Sequence, residues 1–196
     1  MLTRNFDNLM SVFLCGLPYY TDDLTEEKWL SGEKLSIKTY NATIFSVHYI
    51  QVNGTYSNGL FSVGNDNYTS PSSSEGALIL GSGDAEETYD DYKIDPITTL
   101  SVSGKRTNQY TFKDGKCYVT IHKVFINNTT ADIVVKEAGF HYPFTGRKSG
   151  SSSNYSCYAL LYRKKFDEPI TIAANGGLAS ITLDIEIPMM MHKPSE

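Results

Sequence analysis

An acidic loop that begins with two glycines is the part of the sequence where ligand binding would be expected first. It runs from Gly81 to Ile94 as GSGDAEETYDDYKI, and its carboxylates are the oxygen ligands that calcium prefers. They do not keep the register of an EF-hand loop, which leaves a weaker candidate cation site at Asp84, Glu86 and Asp90. The same carboxylates would repel a phosphate, and no Walker lysine follows the glycines.

A structural role for the same loop is the competing interpretation. The glycines follow the apolar run Ala77–Leu80 and would let the backbone turn sharply after a buried strand. Tyr89, Tyr92 and Ile94 can anchor the far end of the loop. Further along, Glu137 could accept hydrogen bonds from a neighbouring loop, and Gly139 permits a bulge or a close backbone approach.

The histidines and serines form no recognisable catalytic pattern. His48, His122, His141 and His192 are far apart, and none belongs to HExxH or another ligand spacing. The nucleophile motif GxSxG is also absent from the sequence. We therefore expect no enzymatic activity, no catalytic residues and no cofactor or metal beyond the cation candidates.

Composition restricts the possible partners. The net charge is -5, which argues against nucleic acid, and the basic run Arg163–Lys165 is interpreted as the exposed end of a strand. No apolar run is long enough for a membrane-spanning helix, so no membrane partner is expected. The three cysteines (Cys15, Cys117 and Cys157) lack a CxxC spacing and indicate free thiols in a reducing cytosol.

The first 35 residues have helical periodicity and are predicted to form an N-terminal helical arm. Apolar residues recur every three or four positions from Leu2 to Leu14, and a shorter helical pattern covers Thr21–Leu30. So short a first helix needs a surface to pack on, either the open end of its own domain or a neighbouring subunit. The residues predicted to form an assembly interface are Phe6, Leu9, Met10, Phe13, Leu14, Met189 and Met190.

Residues 36–188 are predicted to form a β-sandwich domain, with a polar insertion near 53–76 and a tail at 189–196. Ala77–Leu80 suggests a buried central strand, and Asp114-Gly115 a tight hairpin turn. From Leu178 to Ile187 apolar and polar residues alternate, with Ile181, Leu183, Ile185 and Ile187 on one face. Short strands and regular turns predict an all-β fold, an antiparallel sandwich of jelly-roll or immunoglobulin-like type with a short N-terminal helical arm.

The order of several short motifs resembles a known family. The acidic loop is followed by Val135–Phe140 (VKEAGF), then Ala159–Lys164 (ALLYRK), then Phe166–Ile172 (FDEPITI) and Ile181–Ile187 (ITLDIEI). This series is similar to that of small structural virion proteins of tailed bacteriophages, in which the last two motifs form a C-terminal hairpin. The match covers about residues 77–188.

The resemblance implies a β-sandwich protein that assembles in many copies in the tail or neck of a virion, as an adaptor, ring or fibre-attachment component. It implies portal, tail or capsid proteins and copies of the same chain as partners, synthesis in the bacterial host cytoplasm, and no catalytic residues. The alternative function is a carbohydrate- or receptor-binding module displayed on the particle, which would use the aromatic loop residues Tyr56, Tyr68 and Tyr155.

Overall fold

The computed structural model describes residues 1–15, 25–31, 36–46, 76–114, 116–147 and 154–187. In these ranges the helices are α1 (Arg4–Cys15) and α2 (Glu26–Ser31). The strands are β1 (Ser36–Lys38), β2 (Ile44–Ser46), β3 (Ala77–Gly81), β4 (Ser101–Lys113), β5 (Lys116–Asn127), β6 (Ile133–Arg147), β7 (Asn154–Ile172) and β8 (Gly177–Ile187). The polar insertion and the C-terminal tail predicted from the sequence lie outside the described residues.

Two antiparallel sheets pack face to face, and the predicted all-β sandwich with a short N-terminal helix is confirmed. The first sheet has the strand order β3-β6-β7 and the second has the order β4-β5-β8. Their facing sides share one apolar core, to which Phe140 and Phe144 contribute from the first sheet and Phe125 and Ile185 from the second. No helix in the described part of the chain is long and apolar enough to cross a membrane.

Strands of the second sheet follow the alternating pattern of their sequence. Ile181, Leu183 and Ile185 are buried and Ile187 is half-buried at the strand end, while the residues between them are exposed. The hairpin turn after Lys113 is also confirmed at Asp114, whose φ of 52° is in the left-handed region that such a turn requires. Local periodicity and turn chemistry are therefore sufficient to predict β8 and the hairpin turn at Asp114.

The two C-terminal motifs do not form the hairpin that the resemblance implies. β7 belongs to the first sheet and β8 to the second, so the turn at Asn175 and Gly176 carries the chain from one sheet to the other. The backbone N–H of Gly176 donates to the carbonyl of the buried Asn127, 2.7 Å away. The Asn127 amide also donates to the Ile172 carbonyl at 2.9 Å, which fixes the start of the crossover.

β7 contains two of the sequence motifs, Ala159–Lys164 and Phe166–Ile172, in one continuous strand. Its pairing with β6 shifts register, since Val135 lies opposite Ile170 and Glu137 opposite Lys165. The extra residues of β7 form a bulge that contains Pro169, where the strand needs no ladder donor. The bulge explains why a proline is tolerated within a continuous strand.

Both edges of the first sheet are covered by short segments of the chain. β3 is completely buried but outermost among the described strands of its sheet, so it is not the central strand that was predicted. Asp95–Ile97 runs along its outer edge, with a hydrogen bond of 2.9 Å from Ile97 N to Leu80 O. Along β7, the N–H of Thr3 donates to the Leu161 carbonyl at 3.1 Å.

Helix α1 packs on its own domain. Phe6 and Leu9 are buried in the sandwich core and Met10 packs against that core. Phe6 and Leu9, which were predicted to contact other subunits, are therefore not available on the surface of this conformation. The side chains of Phe13 and Leu14, and the residues Met189 and Met190, lie outside the described parts, where the predicted assembly interface stays a prediction.

Candidate functional site

A buried ion cluster holds the acidic loop against the outer face of the first sheet. Arg163 of β7 donates from Nε to Glu137 Oε2 at 2.7 Å and from Nη1 to Asp91 Oδ2 at 2.8 Å. The side chains of Arg163 and Glu137 are only 5% and 1% exposed. Since Asp91 belongs to the loop, this cluster links the loop to two strands of the sheet.

The Arg163 guanidinium also binds the loop backbone. Nη1 donates to the carbonyl of Glu86 at 3.1 Å, and Nη2 donates to the carbonyl of Ala85 at 2.9 Å. Burial by itself lowers the pKa of Arg163, but the hydrogen bonds to Asp91 and Glu137 outweigh it, so the pKa is raised. The guanidinium is therefore held charged by groups that it fixes in place.

Glu137 accepts hydrogen bonds from the loop backbone, as predicted from the sequence. Its Oε1 accepts hydrogen bonds from the N–H of Gly83 at 3.1 Å and from the N–H of Asp95 at 2.9 Å. The approach is so close that a Cβ at Gly81 would lie 2.6 Å from Glu137 Cγ, and one at Gly83 would lie 2.4 Å from Oε1. The two glycines are therefore required by contact with the carboxylate that binds the loop.

We expect Gly83→Ala to lower the free energy of unfolding by about 1–3 kcal/mol, because the added methyl group must displace a carboxylate that Arg163 holds. Urea denaturation followed by circular dichroism measures this change. Ser82→Ala is the matched control, because Ser82 is exposed and its hydroxyl donates to Asp95 Oδ2 at the protein surface. Equal effects of the two substitutions would contradict the role given to Gly83.

The three cation candidates each form ion pairs with basic side chains. Asp84 pairs with Lys136 at 3.0 Å, Glu86 with Lys165 at 2.6 Å and Asp90 with Arg4 at 2.6 Å, and Lys165 Nζ also lies 3.9 Å from Asp84 Oδ1. The hydrogen bond from Lys136 lowers the pKa of Asp84. Among the described residues no group of His, Cys, Asp or Glu side chains could hold a metal ion.

The predicted anchors of the loop are confirmed. The hydroxyl of Tyr89 donates to Asp7 Oδ2 at 2.7 Å, and the Arg4 guanidinium lies 4.7 Å from the centre of its ring. Burial and the bond to Asp7 raise the pKa of Tyr89 to about 12. Ile94 is buried in a small cluster on the outer face of the sheet. The loop thus fixes helix α1 as well as itself.

Tyr92 connects the loop to the first strand. Lys38 Nζ lies 3.8 Å from the centre of the Tyr92 ring and 5.1 Å from that of the fully buried Trp29. The same ammonium forms a 2.5 Å ion pair with Glu26 of α2. The Lys38 ammonium, which lies between two aromatic rings, therefore links α2, β1 and the loop.

Arg163 is the residue whose role the sequence interpretation missed. It was assigned to an exposed strand end, but it is buried, whereas Lys164 and Lys165 are half-buried. One signal was available in the sequence: Arg163 directly follows the apolar run Ala159–Tyr162, and Glu137 directly precedes Ala138-Gly139-Phe140. A buried carboxylate and a buried guanidinium in adjacent strands are expected to pair.

His141 is buried in β6 and has no hydrogen-bond partner on either ring nitrogen among the described residues. Its ring meets that of Tyr40 edge to face, with 5.7 Å between the centroids. Burial lowers the pKa of His141 to about 3, so the ring is neutral in the folded protein.

A cleft of about 690 Å³ lies between the Tyr40–Ala42 turn and the acidic loop. Arg163 and Glu137 line it, but their charged groups are bound to each other and to the loop. Tyr56 and Tyr68, and the side chain of Tyr155, lie outside the described residues, so the carbohydrate-binding prediction stays untested. The described residues therefore act as a structural clamp, because their ion pairs and hydrogen bonds hold the acidic loop against the first sheet.

Comparison with known proteins gives no relative: the chain matches no family model, no curated protein and no solved structure.

Proposed function

We propose that this protein is a non-enzymatic structural component of a tailed-bacteriophage virion, assembled in multiple copies in the tail or neck. The observation that supports the proposal is the convergence of three motifs of the resemblance. The acidic loop, the VKEAGF segment and the ALLYRK segment supply Asp91, Glu137 and Arg163 to one buried ion cluster. Motifs that are distant in sequence thus belong to one packed unit, which favours a shared structural signature over chance.

The ion pairs around this cluster also support a structural role for the protein. Lys136 and Lys165 of the first sheet pair with Asp84 and Glu86 of the loop. These carboxylates are engaged in holding the chain together, which is what a subunit under mechanical load in a particle requires. In the proposed setting its partners are portal, tail or capsid proteins and further copies of itself.

The test of this proposal is the composition of purified particles. Particles released from the host that encodes this chain are separated on a density gradient, and their proteins are quantified by mass spectrometry. We expect the chain in the particle fraction at a fixed ratio to the major tail protein, and antibody labelling in electron micrographs at the tail or neck. A chain that is abundant in the lysate but missing from the particles would refute the proposal.

A further inference from the structure

The turn that connects β7 to β8 contains a dipeptide that can react with itself. Asn175 is followed by Gly176, and glycine has no Cβ to hinder an attack by its backbone nitrogen on the Asn175 side chain. The Gly176 nitrogen loses its proton and forms a bond to Asn175 Cγ, while the side-chain nitrogen takes up a proton and leaves as ammonia. Water then opens the resulting succinimide ring, which gives aspartate or isoaspartate at position 175. This reaction contributes to the thermal lability of asparagine in proteins.

The geometry of the turn explains why residues that carry this chemical risk are present. Asn175 has a φ of 56° and Gly176 a φ of 98°. Glycine and asparagine are the residues that adopt such positive φ values at the least cost. Both residues are exposed, so the water that opens the ring has access to them. The turn therefore places a reactive dipeptide at the protein surface.

Hydrogen bonds hold the backbone of this turn in place. Three successive N–H groups donate to residues 127–132, and the bonds are Ala174 N to Asp132 Oδ1 at 2.9 Å, Asn175 N to Thr129 O at 2.8 Å and Gly176 N to Asn127 O at 2.7 Å. Attack on Cγ requires the nitrogen to approach to about 3–3.5 Å in the correct direction. The bond to Asn127 keeps the proton on the Gly176 nitrogen and fixes the orientation of its peptide group. The folded turn is therefore not arranged for the reaction.

The side chain of Asn127 positions the acceptors of these bonds. It is completely buried, and its amide donates to the carbonyls of Ala131 at 2.8 Å and Ile172 at 2.9 Å. Its Oδ1 accepts from the N–H of Thr129 at 2.9 Å and from the Thr129 hydroxyl at 2.7 Å. One side chain thus links the end of β5 and the end of β7 to the loop that binds Asn175.

We propose that Asn175 is a deamidation site that the folded turn protects, and that it reacts only while the turn is open. Local opening and closing are much faster than the covalent step. The rate in the folded chain therefore equals the open fraction multiplied by the rate in the unfolded chain. The extent of deamidation then records how long the connection between the two sheets has been open.

The formation of isoaspartate prevents the turn from closing in its original geometry. Isoaspartate places the side-chain methylene in the main chain, so the backbone between residues 175 and 176 becomes longer. The Gly176 N–H then cannot meet the Asn127 carbonyl as it does in the unmodified turn. Both products also replace a neutral amide with a carboxylate.

The protection is tested on the purified full chain at neutral pH, with and without guanidinium chloride. Mass spectrometry of peptides measures aspartate and isoaspartate at position 175. We expect conversion in the folded chain to be at least about tenfold slower than in denaturant. Two further dipeptides of the same type, Asn53-Gly54 and Asn58-Gly59, give the intrinsic rate in the denatured sample. Equal rates at position 175 in the two samples, or no conversion in denaturant, would overturn the proposal.

Hydrogen exchange of the Gly176 amide measures the opening independently. Because exchange and deamidation both need the N–H to leave the Asn127 carbonyl, the open fraction from exchange should match the slowing of deamidation to within about threefold. The amide signal is followed by NMR on the folded chain. A Gly176 amide that exchanges as fast as in an unfolded chain would also overturn the proposal.

Asn127→Ala tests whether these hydrogen bonds control the reaction. It should raise the rate at position 175 in the folded chain by about fivefold or more, because it removes the bonds that position the Thr129 loop. Thr129→Ala removes only one hydroxyl from the same network and should give a smaller increase. Asn128→Ala is the matched control, since Asn128 is exposed and donates to Ser101 Oγ at 3.2 Å. Circular dichroism verifies that each variant is folded. Folded variants at 127 and 129 that react no faster than Asn128→Ala would contradict the proposal.

Discussion

Replacing Arg163 with methionine is expected to lower the free energy of unfolding by about 3–5 kcal/mol, because Glu137 would stay buried without its counter-charge. The loss extends to the loop, since Arg163 also binds Asp91 and the carbonyls of Ala85 and Glu86. Equilibrium denaturation in urea at neutral pH measures the global effect. Hydrogen exchange of the loop amides measures whether the loop is released first.

A double substitution separates pairing from packing. Glu137→Leu combined with Arg163→Met removes both charges, and the double variant should be less destabilised than the sum of the two single variants. Lys116→Met is the matched control, since the Lys116–Glu186 pair lies on the exposed face of the second sheet and should matter little. If Arg163→Met were no more harmful than Lys116→Met, the cluster would not be the clamp described above.

Acid is expected to destabilise the protein through His141. The pKa of this histidine is about 3 in the folded protein, below the ordinary value of 6.5 that it has when unfolded. The unfolded chain therefore binds a proton as the pH falls below 6.5, while the folded chain does not. Stability is complete above pH 6.5 and is lost toward pH 3. Between pH 6.5 and 4.5 the loss is about 2.3 kcal/mol, because the slope rises from half of 1.36 kcal/mol per pH unit at pH 6.5 to nearly that full value below it.

Two other groups with shifted pKa values border this window: the Met1 amino group, whose pKa burial lowers from 8.0, and Glu87. Burial alone would raise the pKa of Glu87, but the hydrogen bond from the backbone N–H of Lys165 contributes to a net lowering, so Glu87 titrates below the window. We expect His141→Phe to remove most of the slope of unfolding free energy against pH. His122→Gln, at a half-buried position where the ring bonds Ser180, is the control and should retain the slope. An unchanged slope in His141→Phe would exclude His141 as its source.

The fold could be predicted where local patterns decide it. The alternation in β8 and the turn at Asp114 were sufficient, because one face of the second sheet is buried and the other faces solvent. The connection from β7 to β8 could not be predicted in the same way. An Asn-Gly turn has the same local chemistry in a hairpin and in a crossover, and here the turn is bonded to the distant Asn127, a contact that local sequence does not reveal.

Some contacts of the candidate site could also be predicted from the sequence, and others could not. Glu137 as an acceptor and Tyr89 as an anchor follow from residue type and position in the chain. The burial of Arg163 could not be predicted in this way, because it arises only when the loop folds over the strand. The ion pairs of the cation candidates could not be predicted, because a sequence displays carboxylates without the basic residues that fold next to them, such as Lys136 and Arg4.

The position of helix α1 has a consequence for synthesis on the ribosome. Its first turn is fixed by Thr3, whose hydroxyl donates to the carbonyl of Leu160, 157 residues later in the chain. At about 5–20 residues per second, that partner is made roughly 8 to 30 s after the helix. Throughout this interval Phe6 and Leu9 have no completed core to enter. The helix can dock only after β7 has been made, so its docking is a late step in the folding of this domain.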